Sequence, residues 1–326
     1  MSLVTNYYQS LIDVALFLFF VIGAKVIILF TIHTEKPTVL RSRYLLWLGY
    51  GGWWLLSAVL QIFPWAVTTH THQLIQEMYP AQPSWVIQLF RPIAVTWTTQ
   101  PVTWNILLVV FQFLMGIMLL TERENIAGWI SLLLATLFSF TTWATTEAFG
   151  GLFSPRLSIV PGSPGPGLLA AIVGALLLLP NDYWERNHVV FYIRHAMAIM
   201  YGLAALAQLR PRFWTSHIAI IFGRSPYSPM AHFVDGFISI AQNNPVVINI
   251  ILIMFLSILA IITWKNWSSW SILVISAILL LWCWIFGQDL GLLPAMGANL
   301  YSAPLWFLLT WISVGDTSRK IKGQRL

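Results

Sequence analysis

Four groups of residues in this sequence carry chemistry that the rest of the chain lacks. They are the acid Glu147 in Trp143-Ala144-Thr145-Thr146-Glu147-Ala148-Phe149-Gly150-Gly151, the pair Gln288-Asp289 in Trp284-Ile285-Phe286-Gly287-Gln288-Asp289-Leu290-Gly291, the histidines His70 and His217, and Lys25. Glu147 closes a run of Leu, Phe, Thr and Trp, where an acid is costly unless it faces protein or a water-filled cavity. Burial would raise its pKa, as a proton acceptor requires; the competing role is to accept from the N–H groups of the glycine loop and hold the turn. Gln288 and Asp289 have the same two roles open to them, and with Glu147 they form a candidate polar site on one face of the membrane.

His70 and His217, with His72 and His232, offer imidazoles suited to copper, haem iron or zinc. No helical His-x-x-x-His spacing occurs, and His70-x-His72 directs two ligands the same way only in extended chain. Hydrogen bonding to headgroups or backbone is the alternative. Lys25 falls about seven residues, roughly 10 Å, from the inner end of its apolar run. Its stem either snorkels to the interface or pairs with an acid in the bundle or in a partner subunit. Trp53, Trp54, Trp282, Trp284 and Trp306 could line a quinone- or carotenoid-sized cleft, but interfacial belts and helix packing, which need no ligand, are the favoured account. No P-loop, GxGxxG, GxSxG or CxxCH motif is present, so nucleotide hydrolysis, serine acyl transfer and covalent haem have no support. The single cysteine, Cys283, rules out an intramolecular disulfide or a CxxC site.

The chain that holds these groups has 326 residues, 58% of them apolar and 9% charged, with a mean hydropathy of +0.76. Soluble domains carry about 25% charged residues, so this is an all-α integral membrane protein. The pI of about 9.6 reflects 17 Lys+Arg against 11 Asp+Glu, not a nucleic-acid groove. A hydrocarbon core of about 30 Å takes roughly 20 helical residues. On that measure helices are expected near 11–32, 44–66, 102–120, 127–148, 190–209, 246–264 and 270–288. Two shorter runs, 166–180 and 303–314, must recruit flanking residues or be sheltered by neighbours, for nine spans in all. The first run, with no basic residue before it, reads as an uncleaved membrane helix.

Lys36, Arg41, Arg43, Arg123, Arg186, Lys265 and the tail residues Arg319, Lys320, Lys322 and Arg325 fall on one side. Arg91, Arg156, Arg210, Arg212 and Arg224 fall on the other. The positive-inside rule then places the N-terminus outside and the C-terminus in the cytoplasm of a multi-pass cell-membrane protein. Arg194 and His195 read as interfacial anchors at the start of their span.

The sequence is also written twice. Leu60-Gln61-Ile62-Phe63-Pro64 lies over Ala207-Gln208-Leu209-Arg210-Pro211, and Thr69-His70 over Ser216-His217. Gln100-Pro101-Val102-Thr103-Trp104-Asn105 lies over Asn244-Pro245-Val246-Val247-Ile248-Asn249, and Trp143 through Gly150 over Trp284 through Gly291. Two parallel four-helix repeats follow. The expected organisation is an N-terminal helix and turn (1–39), repeat one (40–181), repeat two (182–316) and a basic tail (317–326). The long segments 67–100 and 211–244 are too polar and proline-broken to span, and their aromatic residues suit interfacial helices on the outer side.

This arrangement resembles uncharacterised two-repeat membrane proteins with a W-x-x-G-E-G-x-G-G loop and, more distantly, the DoxX/DoxD-like group. Thr146 and Ala148 replace two glycines of that loop, and Gln288 stands where the first repeat has Glu147. The resemblance implies a redox-associated or accessory membrane role, with quinone or haem as the cofactors to consider. The expectation is an accessory or scaffold subunit contacting lipid, partner helices or a hydrophobic cofactor. A transporter or channel for a small or hydrophobic molecule, and a DoxX-like oxidoreductase component using quinone, are the alternatives.

Overall fold

The computed structural model describes residues 3–13, 39–63, 65–68, 82–122, 125–185, 188–223, 229–291, 300–315 and 320–321. Lys25, His70 and His72, and most of the first expected span, lie outside the described residues. Residues 3–13 are helical. Ten longer helices follow: α1 (Arg41–Gln61), α2 (Ser84–Thr99), α3 (Pro101–Thr121), α4 (Ile126–Ala144), α5 (Pro166–Leu177), α6 (His188–Ala207), α7 (Ala231–Asn243), α8 (Pro245–Lys265), α9 (Ser269–Phe286) and α10 (Ala303–Ser313). The only strand pairing among the described residues is a two-residue antiparallel bridge joining Val39–Leu40 to Lys320–Ile321.

Helices α3, α4, α6, α8 and α9 are long and apolar enough to cross a membrane, so the chain is a helical, multi-pass membrane protein. α1 matches them in length at 21 residues but carries Arg41, Arg43 and Gln61 and buries more of its surface. Local sequence starts these helices cleanly. Pro101 and Pro245 open α3 and α8 at positions whose N–H would be unpaired anyway. Asn125 and Ser268 accept from Gly128 N (2.8 Å) and Ser271 N (3.3 Å) to cap α4 and α9. Leu107, Phe140, Leu203, Met254 and Ile278 stay exposed around the bundle, the outward apolar face that lipid requires. Trp264, Trp267 and Trp270 are exposed around the α8–α9 turn, where an aromatic belt would sit.

With lipid outside, burial between helices comes from close packing. α1 crosses α3 at Gly116, where a Cβ would lie 2.6 Å from Leu55 Cγ and 2.9 Å from its backbone nitrogen. Each half of the chain runs through one order of elements: a long helix (α1, α6), an exposed amphipathic helix (α2, α7), two more long helices (α3, α4; α8, α9) and a short one (α5, α10). α2 and α7 occupy the segments expected to be interfacial.

The short helices sit at the centre. α5 has 12 residues and α10 has 11, about 18 and 17 Å at 1.5 Å per residue. Neither reaches across about 30 Å of hydrocarbon. They pack on each other and on α1, and most of their residues are buried. Their ends therefore fall inside protein, where unpaired backbone groups must be satisfied by side chains.

Candidate functional site

Expected helices 127–148 and 270–288 end earlier, at Ala144 and Phe286, so Glu147, Gln288 and Asp289 lie in turns beyond them. The two turns share a backbone plan. Glu147 N donates back to Thr142 O (3.0 Å) and Gln288 N to Cys283 O (3.1 Å), a six-residue closure of the Schellman type. Gly150 N then donates to Glu147 O (2.8 Å) and Gly291 N to Gln288 O (2.9 Å). The left-handed φ at Ala148, Phe149 and Gly150 is matched at Asp289, Leu290 and Gly291.

These turns aim both side chains at the start of the next short helix. Glu147 is 9% exposed and accepts from Gly167 N, in the first turn of α5, through Oε1 (2.9 Å) and Oε2 (3.1 Å). Gln288 Oε1 accepts from Ala303 N at the start of α10 (3.1 Å), and its Nε2 donates to Val160 O (3.2 Å). The preceding tryptophans repeat the pattern: Trp143 Nε1 donates to Pro164 O (2.9 Å) and Trp284 Nε1 to Leu300 O (3.1 Å). Gly167 makes room for Glu147, because a Cβ there would sit 2.9 Å from Oε1 and 2.7 Å from Ser139 O.

Two opposed effects act on the Glu147 carboxyl. Burial disfavours its charged form and is the larger; the Gly167 N–H favours it and is the smaller, so the pKa is pushed up from 4.5 to about 8. At neutral pH the group holds a proton and stands close to exchanging it. Asp289 follows Gln288 in the same turn and is fully buried.

The loop between α4 and α5 joins the halves. Besides Gln288 on Val160, Gln208 Nε2 donates to Ser158 Oγ and Arg210 Nη1 to Ser154 O (3.2 Å). The structure thus sets Glu147 and Gln288 against the same loop at different points, Glu147 beside Gly165 and Gln288 at Val160. It does not bring the histidines to them. His217 is exposed, its Nδ1 3.1 Å from Thr215 Oγ1, and His232 is exposed on α7. Among the described residues no three metal-ligating side chains cluster.

Sequence reasoning missed the opposite ends of the short helices. Arg43, expected as a loop cation, is buried in α1: its Nη2 donates to Leu177 O at the end of α5 (3.2 Å), its Nη1 to Asn181 Oδ1, and Trp47 and Trp129 flank it. Arg194, expected as an anchor, donates from Nε to Ser313 O at the end of α10 (2.9 Å). A cation at a helix C-terminus complements both the unpaired carbonyls and the helix dipole. The available signal was an arginine within the first two turns of the long helix opening each half, at 43 and 194.

A second missed constellation is polar and fully buried. Gln61 Nε2 donates to Asn105 Oδ1, and Asn105 Nδ2 donates to Gln61 O (3.1 Å) and to Tyr7 Oη (2.7 Å). Tyr7 Oη in turn donates to Gln61 O (2.9 Å). In the other half Asn249 Nδ2 donates to Gln208 O (2.9 Å), with no tyrosine beside it among the described contacts. No protein-family model, curated protein or solved structure matches the chain.

Proposed function

We propose that this protein is an accessory or scaffold subunit of a membrane complex, built from a duplicated four-helix unit, and that its second half receives a partner's membrane helix. The observation that carries this reading is an asymmetry between otherwise matching halves. In the first, residues 3–13 cover Ile62, Val102 and Ile106 with Tyr7 and Leu11. The corresponding residues of the second half, Leu209, Val246 and Ile250, are 52%, 46% and 42% exposed. Beside them, Gln208 Oε1 and Asn249 Oδ1 are buried without hydrogen-bond partners. A partner helix bringing a hydroxyl or N–H donor would satisfy these oxygens, as Gln61 Nε2 satisfies Asn105 Oδ1 in the first half, and would cover the apolar residues beside them as Tyr7 and Leu11 do there.

The polar site supports the same reading, because Glu147 and Gln288 both use their acceptor oxygens to close the N-terminus of a central half-length helix. The duplication, nine spans, the outer-side placement of α2 and α7, and a cytoplasmic C-terminus belong to this proposal. So does the likeness to DoxX-like proteins, under which the tryptophan-rich faces would meet a quinone.

Cys283 is buried and is the single cysteine, so a Cys283→Ala background accepts a reporter thiol. In native membranes, Val246→Cys is expected to cross-link to a second polypeptide and Leu133→Cys, a lipid-facing control on α4, is not. A chain that gives no cross-link from position 246 and purifies gently as a bare monomer would overturn the proposal. A second reading, a proton-linked transporter, draws on Glu147 alone, whose pKa near 8 suits proton exchange. It requires Glu147→Gln to abolish flux into liposomes.

A further inference from the structure

At the end of the bundle that carries Glu147 and Gln288, arginines from the two halves of the chain meet at Ser154, in the loop between α4 and α5. Arg210, just past the end of α6, donates from Nη1 to Ser154 O (3.2 Å). The Ser154 hydroxyl accepts from Arg156 N (3.1 Å), and two residues of chain span at most about 7 Å, so the Arg156 side chain leaves the backbone close to the Arg210 guanidinium. Both arginines are half-buried.

Neither cation has an acid to offset it. Among the described residues the Arg156 side chain makes no hydrogen bond or ion pair, and its Nε is buried without a partner; Arg210 uses only Nη1 and makes no ion pair. An unpaired N–H of a charged group is costly to bury, and a like charge beside it adds repulsion. A bound anion removes both costs. The positive-inside rule gives no reason for these two arginines, because they fall on the side where it expects few cations. The surface of α6 below Arg210 indicates what the anion is attached to. Ile199, Leu203 and Leu206 follow one another at i, i+4 and i+7, which makes them one stripe of the helix, and they are 52%, 59% and 61% exposed. Arg210 takes the next place in that spacing. An arginine fork at the head of an exposed aliphatic stripe is complementary to a phosphate carried on a hydrocarbon chain.

We propose that Arg156 and Arg210 together bind a phosphate group, and that a phospholipid of the leaflet on the Glu147 side supplies it, with an acyl chain lying along Ile199, Leu203 and Leu206. The lipid then ties the α4–α5 loop of the first half to α6 of the second. The site does not rest on the accessory-subunit reading, because it uses neither Val246 nor the unpartnered oxygens of Gln208 and Asn249; a chain that gives no cross-link from position 246 still binds this lipid.

The test is native mass spectrometry of the full chain in detergent, titrated separately with dioleoylphosphatidylglycerol, with dioleoylglycerol, which has the same chains and no phosphate, and with inorganic phosphate. The phosphatidylglycerol complex is expected to form at least tenfold more tightly than the dioleoylglycerol complex. Arg156→Gln and Arg210→Gln should each weaken it about tenfold, the loss of one charge-assisted hydrogen bond. Arg156→Lys should recover part of that loss, since it keeps the charge without the fork. Arg41→Gln, an exposed cation at the opposite end of the bundle, should leave the affinity unchanged. Inorganic phosphate is expected not to displace the lipid; displacement that itself depends on Arg156 would keep the two-arginine site and overturn its lipid source. Equal phosphatidylglycerol affinity in the parent and Arg156→Gln proteins, or equal affinity of the parent for the two lipids, overturns the proposal. Because the Arg156 side chain holds no other group of the protein among the described residues, its replacement tests the site even where Arg210→Gln disturbs folding.

Discussion

Replacing Glu147 by Gln asks whether the buried acid acts through its charge or through its shape. In the parent protein the carboxyl titrates near 8 when folded and near its ordinary value of 4.5 when unfolded. The folded state therefore binds more protons than the unfolded state between these values, and folding stability falls as pH rises through that window. Below about pH 4.5 both states are protonated and nothing is lost; above about pH 8 the whole penalty is present. At roughly 1.4 kcal/mol per pH unit, the loss between about pH 5.5 and 8.5 is on the order of 3 kcal/mol. Glutamine keeps the acceptor oxygen for Gly167 N and has no proton to lose, and Gln288 already performs this role at α10. The Glu147→Gln protein should fold like the parent at pH 5.5 and be the more stable of the two at pH 8.5. Thermal unfolding followed by tryptophan fluorescence in mild detergent at both pH values measures this. A parent and variant that lose stability in parallel, or a parent that gains it as pH rises, would refute the assignment of a buried, protonated cap.

Two further outcomes follow from the ends of α5. Arg43→Met removes the donors to Leu177 O and Asn181 Oδ1 inside protein and should cost about 2–3 kcal/mol in denaturant unfolding, whereas Arg41→Gln at the exposed neighbouring position should stay within about 0.5 kcal/mol of the parent. Gly167→Ala places a methyl 2.7 Å from Ser139 O and 2.9 Å from Trp143 N, both backbone atoms, and should destabilise by about 1–3 kcal/mol; an unchanged melting temperature would show that α4 and α5 separate freely there.

Much of the local architecture was legible before the fold. Pro101 and Pro245 mark helix starts, and the apolar runs locate the long helices to within a few residues. Glu147 and Gln288 each accept from the first turn of a short helix, and Asn105 and Asn249 each donate to the backbone carbonyl of a glutamine. The expected helices overran at 145–148 and 287–288 because long apolar runs lead directly into these residues with no proline to mark a stop, and only the left-handed turns after Glu147 and Gln288 end them. The roles of Arg43 and Arg194 were hidden for a different reason: a basic residue near a predicted helix end reads as an interfacial anchor whether or not a carbonyl waits for it.

The sequence by itself determined that the chain belongs in lipid, where its helices begin, which short runs fall short of a membrane, and which polar residues recur. These follow from composition and from interactions within a few residues of chain. Only the tertiary structure decided what the polar residues are for. Glu147 meets Gly167 twenty positions on and Arg43 meets Leu177 across 134 positions of chain, distances over which no periodicity carries information. Helices apolar on every face give no pattern from which to read a neighbour. In a medium without water, the open ends of the two central helices must find protein partners, and that requirement places the acid, the amide and the two arginines where they are.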